Sequence, residues 1–237
     1  MDVAIMFSGG KDSTLAVEYA LQKGYTIKYL LSVKPSRRDC YLFHYATVEW
    51  TKEVAKALNL PQILVGCDVA DPVKEAEIVK QIVEKNPVDA VILGGVGLQE
   101  TQIKSVRDAL FNLGTEVFAA HAGQDHGDLT EEMIKRGYKI IVTEIAADGL
   151  TADWLGKIID LNNYPELRKL SEKFGFHIGF EGGHANTLVV DGPIFNKKIE
   201  IVRSEKIMEY GKSNDGYLLV HEVKVIDKIP EIKKYSF

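Results

Sequence analysis

The chain has 237 residues, of which 46% are hydrophobic and 27% are charged, a composition typical of a globular protein with a sizeable core. Its formal net charge of −5 gives no basic footprint for nucleic acid, so we expect no nucleic-acid partner. Its apolar runs do not approach the roughly 20 residues that a membrane-spanning helix needs, and the first residues lack the pattern of a signal peptide. Two cysteines are too few for a disulfide framework, so we expect a cytoplasmic protein without a membrane segment.

The first half of the chain alternates short apolar runs with segments of helical periodicity. Strands are predicted at residues 3–7, 25–33, 62–65, 89–93 and 116–119, and helices at 13–23, 45–58, 73–85 and 100–113. Gly24 and Gly114 follow two of these helices and are suitable helix ends. Alternation of this kind predicts an α/β fold in which a doubly wound parallel sheet carries helices on both faces.

Beyond about residue 126 the pattern becomes mixed. Helices are predicted at residues 129–136 and 165–173, and short strands at 139–144, 176–180, 187–190, 197–203 and 217–226. We therefore predict one domain over residues 1–125 and a smaller mixed α+β domain over residues 126–237.

A glycine-containing segment links the first predicted strand to the first helix. It consists of Ser8, Gly9, Gly10, Lys11, Asp12 and Ser13. This is where a doubly wound sheet binds nucleotides, and glycines let the backbone approach phosphate at the positive end of a helix. The two serines can donate hydrogen bonds, and Lys11 adds a positive charge. The carboxylate of Asp12 would repel phosphate, so we interpret it as a helix-start acceptor or as a partner of Mg²⁺.

This segment resembles the PP-loop of the N-type ATP pyrophosphatases. Those enzymes cleave ATP between the α- and β-phosphates and adenylate a substrate oxygen. The resemblance implies the HUP-like fold of the adenine nucleotide alpha hydrolases and a loop that holds the departing pyrophosphate. It also implies that Lys11 and Asp12 are catalytic as well as nucleotide-binding.

Three other segments resemble the diphthine–ammonia ligase family. They are Tyr41 to His44, the stretch Gly149 to Gly156, and the stretch that begins Glu181-Gly182-Gly183. Order and spacing agree from residue 3 to about residue 203. Enzymes of this family use ATP and ammonia to amidate the carboxylate of diphthine, a modified histidine of elongation factor 2. The resemblance thus implies ATP, ammonia and elongation factor 2 carrying diphthine as partners.

The resemblance also implies further site residues. His44 and Glu181 are expected to be catalytic, and the acceptor is expected to lie between the loop and the turn at Glu181. The expected substrate-binding residues are Gln102, Gly182, Gly183, His184 and Thr187.

The chain departs from the family pattern at several positions. His184 replaces the family's second glutamate, and Ile103 and Ser105 replace two arginines that follow Gln102. His184 could serve as a base or donor, or could be a hydrogen-bonded structural histidine. Two alternatives therefore stay open: a paralogue that adenylates a different small acceptor, and a non-catalytic sensor of adenine nucleotides. The sequence also leaves a homo-oligomer open.

One further cluster is weaker. His121 and His126 flank Asp125, but no closed set of ligands accompanies them, so a metal site is not predicted there.

Overall fold

A computed structural model of the chain describes residues 1–36, 47–95 and 100–228, with only the backbone of 100–102. Five parallel strands build the first sheet: β1 (Asp2–Met6), β2 (Thr26–Pro35), β3 (Gln62–Cys67), β4 (Ala90–Leu93) and β5 (Glu116–Ala119). Their order is β3-β2-β1-β4-β5. Successive strands are added toward one edge of the sheet from β1 to β3 and toward the other edge from β4 to β5. The switch point therefore lies between β1 and β4, and such a point is where α/β proteins bind ligands.

Helices cover both faces of this sheet. They are α1 (Lys11–Gln22), α2 (Thr51–Leu58, after a 3-10 turn at Val48–Trp50), α3 (Pro72–Lys85) and α4 (Glu100–Leu110, continued by a 3-10 turn at Phe111–Leu113). Side chains of β1 alternate between the two faces: Val3 and Ile5 join the cluster that includes α1 and α2, whereas Ala4 joins the cluster of α3 and α4. The predicted doubly wound sheet is thus confirmed.

The remaining elements form a second, antiparallel sheet with two helices. They are α5 (His126–Lys135), β6 (Lys139–Ala146), β7 (Ile158–Ile159), α6 (Tyr164–Phe174), β8 (Ala185–Asp191), β9 (Lys197–Met208) and β10 (Asp215–Asp227). Central strand β6 pairs with β7, β8 and β10, and β10 continues into a long pairing with β9. This agrees with the predicted mixed α+β second part.

The predicted strand at 176–180 is wrong. These residues form a turn in which the backbone N–H of Phe180 donates to the carbonyl of His177 at 2.8 Å. Phe180 adopts a left-handed φ of 61°, which no strand residue has. The apolar pattern arises because Phe176 and Phe180 are buried and stack on each other, with ring centroids 6.4 Å apart.

Several predicted boundaries also shift. Strands β9 and β10 have 12 and 13 residues and exceed the predicted short strands, because they pair along their whole length. Helix α1 begins at Lys11, two residues earlier than predicted, which brings the end of the loop into the first helical turn. Of the helix predicted at 45–58, the described part becomes α-helical only at Thr51.

Elements of both parts share one hydrophobic cluster, which runs from β1 and α1 to β8 and β10. The predicted boundary after residue 125 stays a prediction. Among the described residues, none of the helices combines the length and apolar character needed to cross a membrane.

Candidate functional site

The loop from Ser8 to Gly10 leaves the carboxyl end of β1 and starts α1. Gly9 has a φ of +78°, a conformation that side-chain-bearing residues rarely adopt. Gly10 is extended and caps α1 without a side-chain hydrogen bond. The Ser13 hydroxyl donates to the Gly10 carbonyl at 3.0 Å and lies 3.3 Å from the Ser8 hydroxyl. The first turn of α1 is therefore built to present backbone N–H groups to an anion.

Strand β8, from the second half of the chain, supports this loop. The N–H of Val189 donates to the Gly9 carbonyl at 2.9 Å, and the N–H of Lys11 donates to Thr187 Oγ1 at 3.1 Å. A Cβ atom on Gly10 would lie 3.0 Å from the Thr187 carbonyl oxygen. The predicted substrate-binding residue Thr187 thus lies against the loop, where it holds the start of α1.

The end of β4 forms the opposite wall of the loop. A Cβ atom on Gly94 would lie 2.3 Å from the carbonyl carbon of Asp12 and 2.5 Å from the amide nitrogen of Ser13. Only glycine permits this approach of two backbones. The switch point of the sheet and the first turn of α1 are therefore in direct contact.

Lys11 and Asp12 form an ion pair inside the site. Lys11 is 3% exposed, and its Nζ donates to both carboxylate oxygens of Asp12 at 2.8 Å. Burial raises the pKa of Asp12, but the positive charge of Lys11 and the hydrogen bond from His126 lower it more strongly. The net pKa of Asp12 lies well below its usual range, so this carboxylate is charged at neutral pH.

His126 joins Asp12 to the predicted acidic turn. Its Nδ1 lies 3.0 Å from Asp12 Oδ1 and 3.4 Å from Glu181 Oε1. The imidazole side chain is 1% exposed, whereas the Asp12 and Glu181 side chains are 33% and 29% exposed. Two carboxylates from opposite halves of the chain therefore meet at one buried imidazole and keep a face toward solvent.

Backbone geometry presents Glu181 at this place. It follows Phe180, whose φ is 61°, and precedes Gly182 and Gly183, whose φ values are +87° and +78°. A left-handed φ is uncommon for a residue with a side chain such as Phe180 and is more often found at functional sites, whereas the two glycines adopt positive φ readily. The turn at Glu181–Gly183 thus has a local geometry suited to displaying one carboxylate.

The other predicted site residues are placed differently. His184 Nδ1 accepts a hydrogen bond from the backbone N–H of His177 at 3.3 Å, and its ring lies 6.2 Å from that of Phe176. This hydrogen bond fits the interpretation of His184 as a hydrogen-bonded structural histidine. His44 and the side chain of Gln102 lie outside the described residues.

The structure adds His126, which the sequence did not identify as a site residue. Asp12 and His126 are 114 residues apart, and only the packing of α5 against the loop brings them together. Within the described ranges, no group of three or more His, Cys, Asp or Glu side chains could hold a metal ion. His121 and Asp125 accordingly form no such group with His126.

The sheet order and the glycine loop at its switch point define an α/β protein with an anion-binding helix start, the arrangement that the resemblance to the PP-loop enzymes implies. Comparison with known proteins narrows this class. Residues 1–110 match the family model of the diphthamide synthase N-terminal domain, and residues 125–226 match that of the diphthamide synthase C-terminal domain. The chain belongs to the diphthine–ammonia ligase family.

Individual relatives agree over nearly the whole chain. The alignment with the human diphthine–ammonia ligase spans 257 positions at 28% identity and covers 98% of this chain and 95% of the human protein. The alignment with the zebrafish (Danio rerio) diphthine–ammonia ligase spans 239 positions at 30% identity and covers 92% of this chain and 91% of the zebrafish protein. The resemblance inferred from the loop and the Glu181 turn is thereby confirmed at the level of the family.

Proposed function

We propose that this chain uses ATP to amidate the carboxylate of diphthine on elongation factor 2 with ammonia. The observation that carries the proposal is the junction of the PP-loop with the Glu181 turn, made by the contacts of His126 with Asp12 and Glu181. Family membership supports ATP and ammonia as co-substrates and a protein as acceptor.

In the first step, ATP lies across the carboxyl end of β1 and the loop binds its phosphates. Ser8, Ser13 and the N–H groups at the start of α1 supply hydrogen-bond donors, and Lys11 supplies positive charge. An oxygen of the substrate carboxylate attacks the α-phosphorus, and the bond to the β-phosphate breaks. The products of this step are an acyl adenylate and pyrophosphate.

In the second step, ammonia attacks the carbonyl carbon of the acyl adenylate, AMP leaves and one proton is released. Glu181 is our candidate for orienting ammonia or accepting this proton, because its carboxylate is partly exposed beside the loop. Gly182 and Gly183 give the acceptor close access to the backbone of the turn. The roles proposed for His44 and Gln102 rest on the resemblance alone.

Mg²⁺ fits this site through one protein carboxylate. Asp12 is ionised and partly exposed, and Mg²⁺ is commonly held by one or two carboxylates together with substrate phosphates. When bound, the ion neutralises phosphate charge in the adenylation step. Lys11 donates to both oxygens of Asp12, so a bound ion would share this carboxylate with the Lys11 ammonium.

A second candidate keeps the same adenylation chemistry but takes a different carboxylate. Its basis is the change of the family pattern at His184, Ile103 and Ser105. His184 is hydrogen-bonded to the backbone of the 176–180 turn, so its ring has a structural partner in place of a substrate. A nucleotide sensor without turnover, a homo-oligomeric state and a cytoplasmic location also stay predictions.

The experiment that separates these candidates supplies acceptors one at a time. The protein is incubated with ATP, Mg²⁺ and ammonium, and either elongation factor 2 carrying diphthine, the same factor lacking diphthine, or a panel of small carboxylates. We expect AMP and pyrophosphate only with the diphthine-bearing factor. Release with a small carboxylate alone would support the second candidate, and tight ATP binding without turnover on any acceptor would support the sensor.

A further inference from the structure

We propose that His126 is a positioning residue that sets the geometry of the PP-loop relative to the acceptor turn by holding Asp12 and Glu181 together. The proposal rests on the proposed function, because its consequence is measured in the ligase reaction. It assigns a role to a residue outside the glycine loop and outside the acidic turn.

The contacts of His126 with the two carboxylates are made by its Nδ1 atom. Its Nδ1 faces two acceptors, Asp12 Oδ1 at 3.0 Å and Glu181 Oε1 at 3.4 Å. The ionised carboxylate of Asp12 can only accept a hydrogen bond, which assigns the ring hydrogen to Nδ1. Nδ1 therefore donates to Asp12 Oδ1 and lies within ion-pair distance of Glu181 Oε1, so this one nitrogen links the loop with the acidic turn.

The backbone of His126 is fixed on its own helix. His126 is the first residue of α5, whose start is capped by the Asp125 side chain through the N–H of Asp128 at 2.9 Å. The Thr130 hydroxyl donates to the His126 carbonyl at 2.6 Å. The imidazole is 1% exposed, so its position is set by packing as well as by hydrogen bonds.

The start of α5 is also packed directly against the turn that carries Glu181. A Cβ atom on Gly179 would lie 2.6 Å from the His126 carbonyl carbon, and one on Gly127 would lie 2.5 Å from Ile178 Cγ2. The Tyr164 hydroxyl donates to the Gly127 carbonyl at 2.7 Å. The turn and the helix start therefore form one unit, and Nδ1 of His126 is where this unit meets the loop.

The consequence is specific to the chemical step. Among the loop residues proposed to bind ATP, His126 hydrogen-bonds Asp12 but none of Ser8, Lys11 and Ser13, so we expect the imidazole to affect ATP affinity less than it affects the rate. The distance between the adenylate and the Glu181 turn should depend on it strongly, because an error of about 1 Å in reacting groups can lower a rate on the order of 10²-fold.

The test compares His126→Leu with His126→Asn, whose side-chain amide can place an N–H near the position of Nδ1. His221→Asn is the matched control, since His221 also pairs with a carboxylate, that of Glu205, but on the β9–β10 hairpin. We expect His126→Leu to lower kcat on the order of 10²-fold with ATP Kd near that of the wild type. His126→Asn should recover a large part of that loss, and His221→Asn should match the wild type.

The thermal midpoint of each variant shows whether it folds, and the His126→Asn comparison remains informative if His126→Leu does not. Equal kcat in the wild type and both His126 variants would overturn the proposal, as would a loss confined to ATP affinity. A wild type that forms no AMP with diphthine overturns the proposed function itself. An active wild type with an equally active His126→Leu variant overturns the role of His126 alone.

Discussion

The backbone N–H of Lys11 donates to the hydroxyl oxygen of Thr187 at 3.1 Å, across 176 residues of sequence. This bond takes one N–H at the start of α1 and satisfies it from β8, a strand of the other sheet. The nucleotide loop is therefore completed by the second half of the chain. A substitution in β8 should therefore change the affinity of the loop for the phosphates of ATP.

Replacing Thr187 with valine tests this relationship. Valine keeps the shape of the side chain but removes the acceptor of the Lys11 N–H, so we expect a loss of about 1 kcal/mol in the free energy of unfolding and weaker ATP binding. Thr187→Ser keeps the oxygen and should stay close to the wild type. Chemical denaturation and ATP titration provide both measurements, and equal values for valine and serine would contradict the role of this bond.

Gly94→Ala probes the contact between β4 and the loop. The new Cβ would lie 2.3 Å from a backbone atom of Asp12, which can move only with the whole helix start. We expect a loss of about 1–3 kcal/mol in unfolding free energy together with loss of ATP binding. Gly66→Ala is the control, because no described atom lies within 4 Å of its Cβ position; it should change stability by less than about 1 kcal/mol. Similar results for the two variants would contradict the close approach at Gly94.

The Lys11–Asp12 pair should separate stability from activity. Asp12→Asn leaves the buried ammonium of Lys11 without its counter-charge, so we expect about 1–3 kcal/mol of destabilisation. The double variant Lys11→Met with Asp12→Asn should recover most of that stability, since no charge is then left unpaired. Neither variant should support AMP formation. Turnover in the double variant would show that the catalytic site lies elsewhere.

The pH dependence of this effect follows from the pKa of Asp12, which is depressed in the folded state. A depressed pKa stabilises the fold above the unfolded-state value of 3.8, and this stabilisation is lost only as pH falls through the folded-state pKa. The stability difference between the wild type and Asp12→Asn should therefore shrink as pH falls below 3.8, and denaturation of both proteins from about pH 5 into acid measures it. A difference that stayed the same in acid would contradict the assigned ionisation.

Asp125 offers a separate test at the start of α5. Its backbone hydrogen bond from Asp128 is the largest influence on its pKa, which is lowered from 3.8. Asp125→Ala should lower the free energy of unfolding by about 1 kcal/mol at neutral pH, whereas Asp125→Ser should retain the helix cap. Because the charged form makes the better cap, the difference between wild type and alanine should shrink as pH falls below the ordinary pKa of the carboxyl. If the stability difference between the wild type and Asp125→Ala were the same in acid as at neutral pH, the cap would not depend on an ionised Asp125 carboxylate.

Much of the fold could be predicted because it depends on local patterns. The five strands of the parallel sheet are short apolar runs with helical segments between them, and Gly9 and Gly10 mark the loop directly. The turn at 176–180 was not predicted, because Phe176 and Phe180 have the spacing of one strand face. In the structure both rings are buried, but the backbone forms a turn in which Phe180 has a left-handed φ.

The site was predictable only in part. Asp12 and Glu181 were identified from motifs, whereas His126 sits in a stretch that matches no ligand pattern. Its role depends on how α5 packs against the Ile178–Gly179 backbone, which no local periodicity encodes. The support of the loop by Thr187 is likewise a tertiary contact, so the sequence indicated the residue but not its partner.

The most direct test of the account is the stoichiometry of one reaction. Wild-type protein is given ATP, isotopically labelled ammonium and elongation factor 2 carrying diphthine, and the AMP formed is compared with the label in the factor. We predict one labelled amide nitrogen in the factor for each AMP and each pyrophosphate formed. The Asp12→Asn variant should form none of these three products. Formation of ADP in place of AMP, or AMP without labelled factor, would contradict amidation through an acyl adenylate.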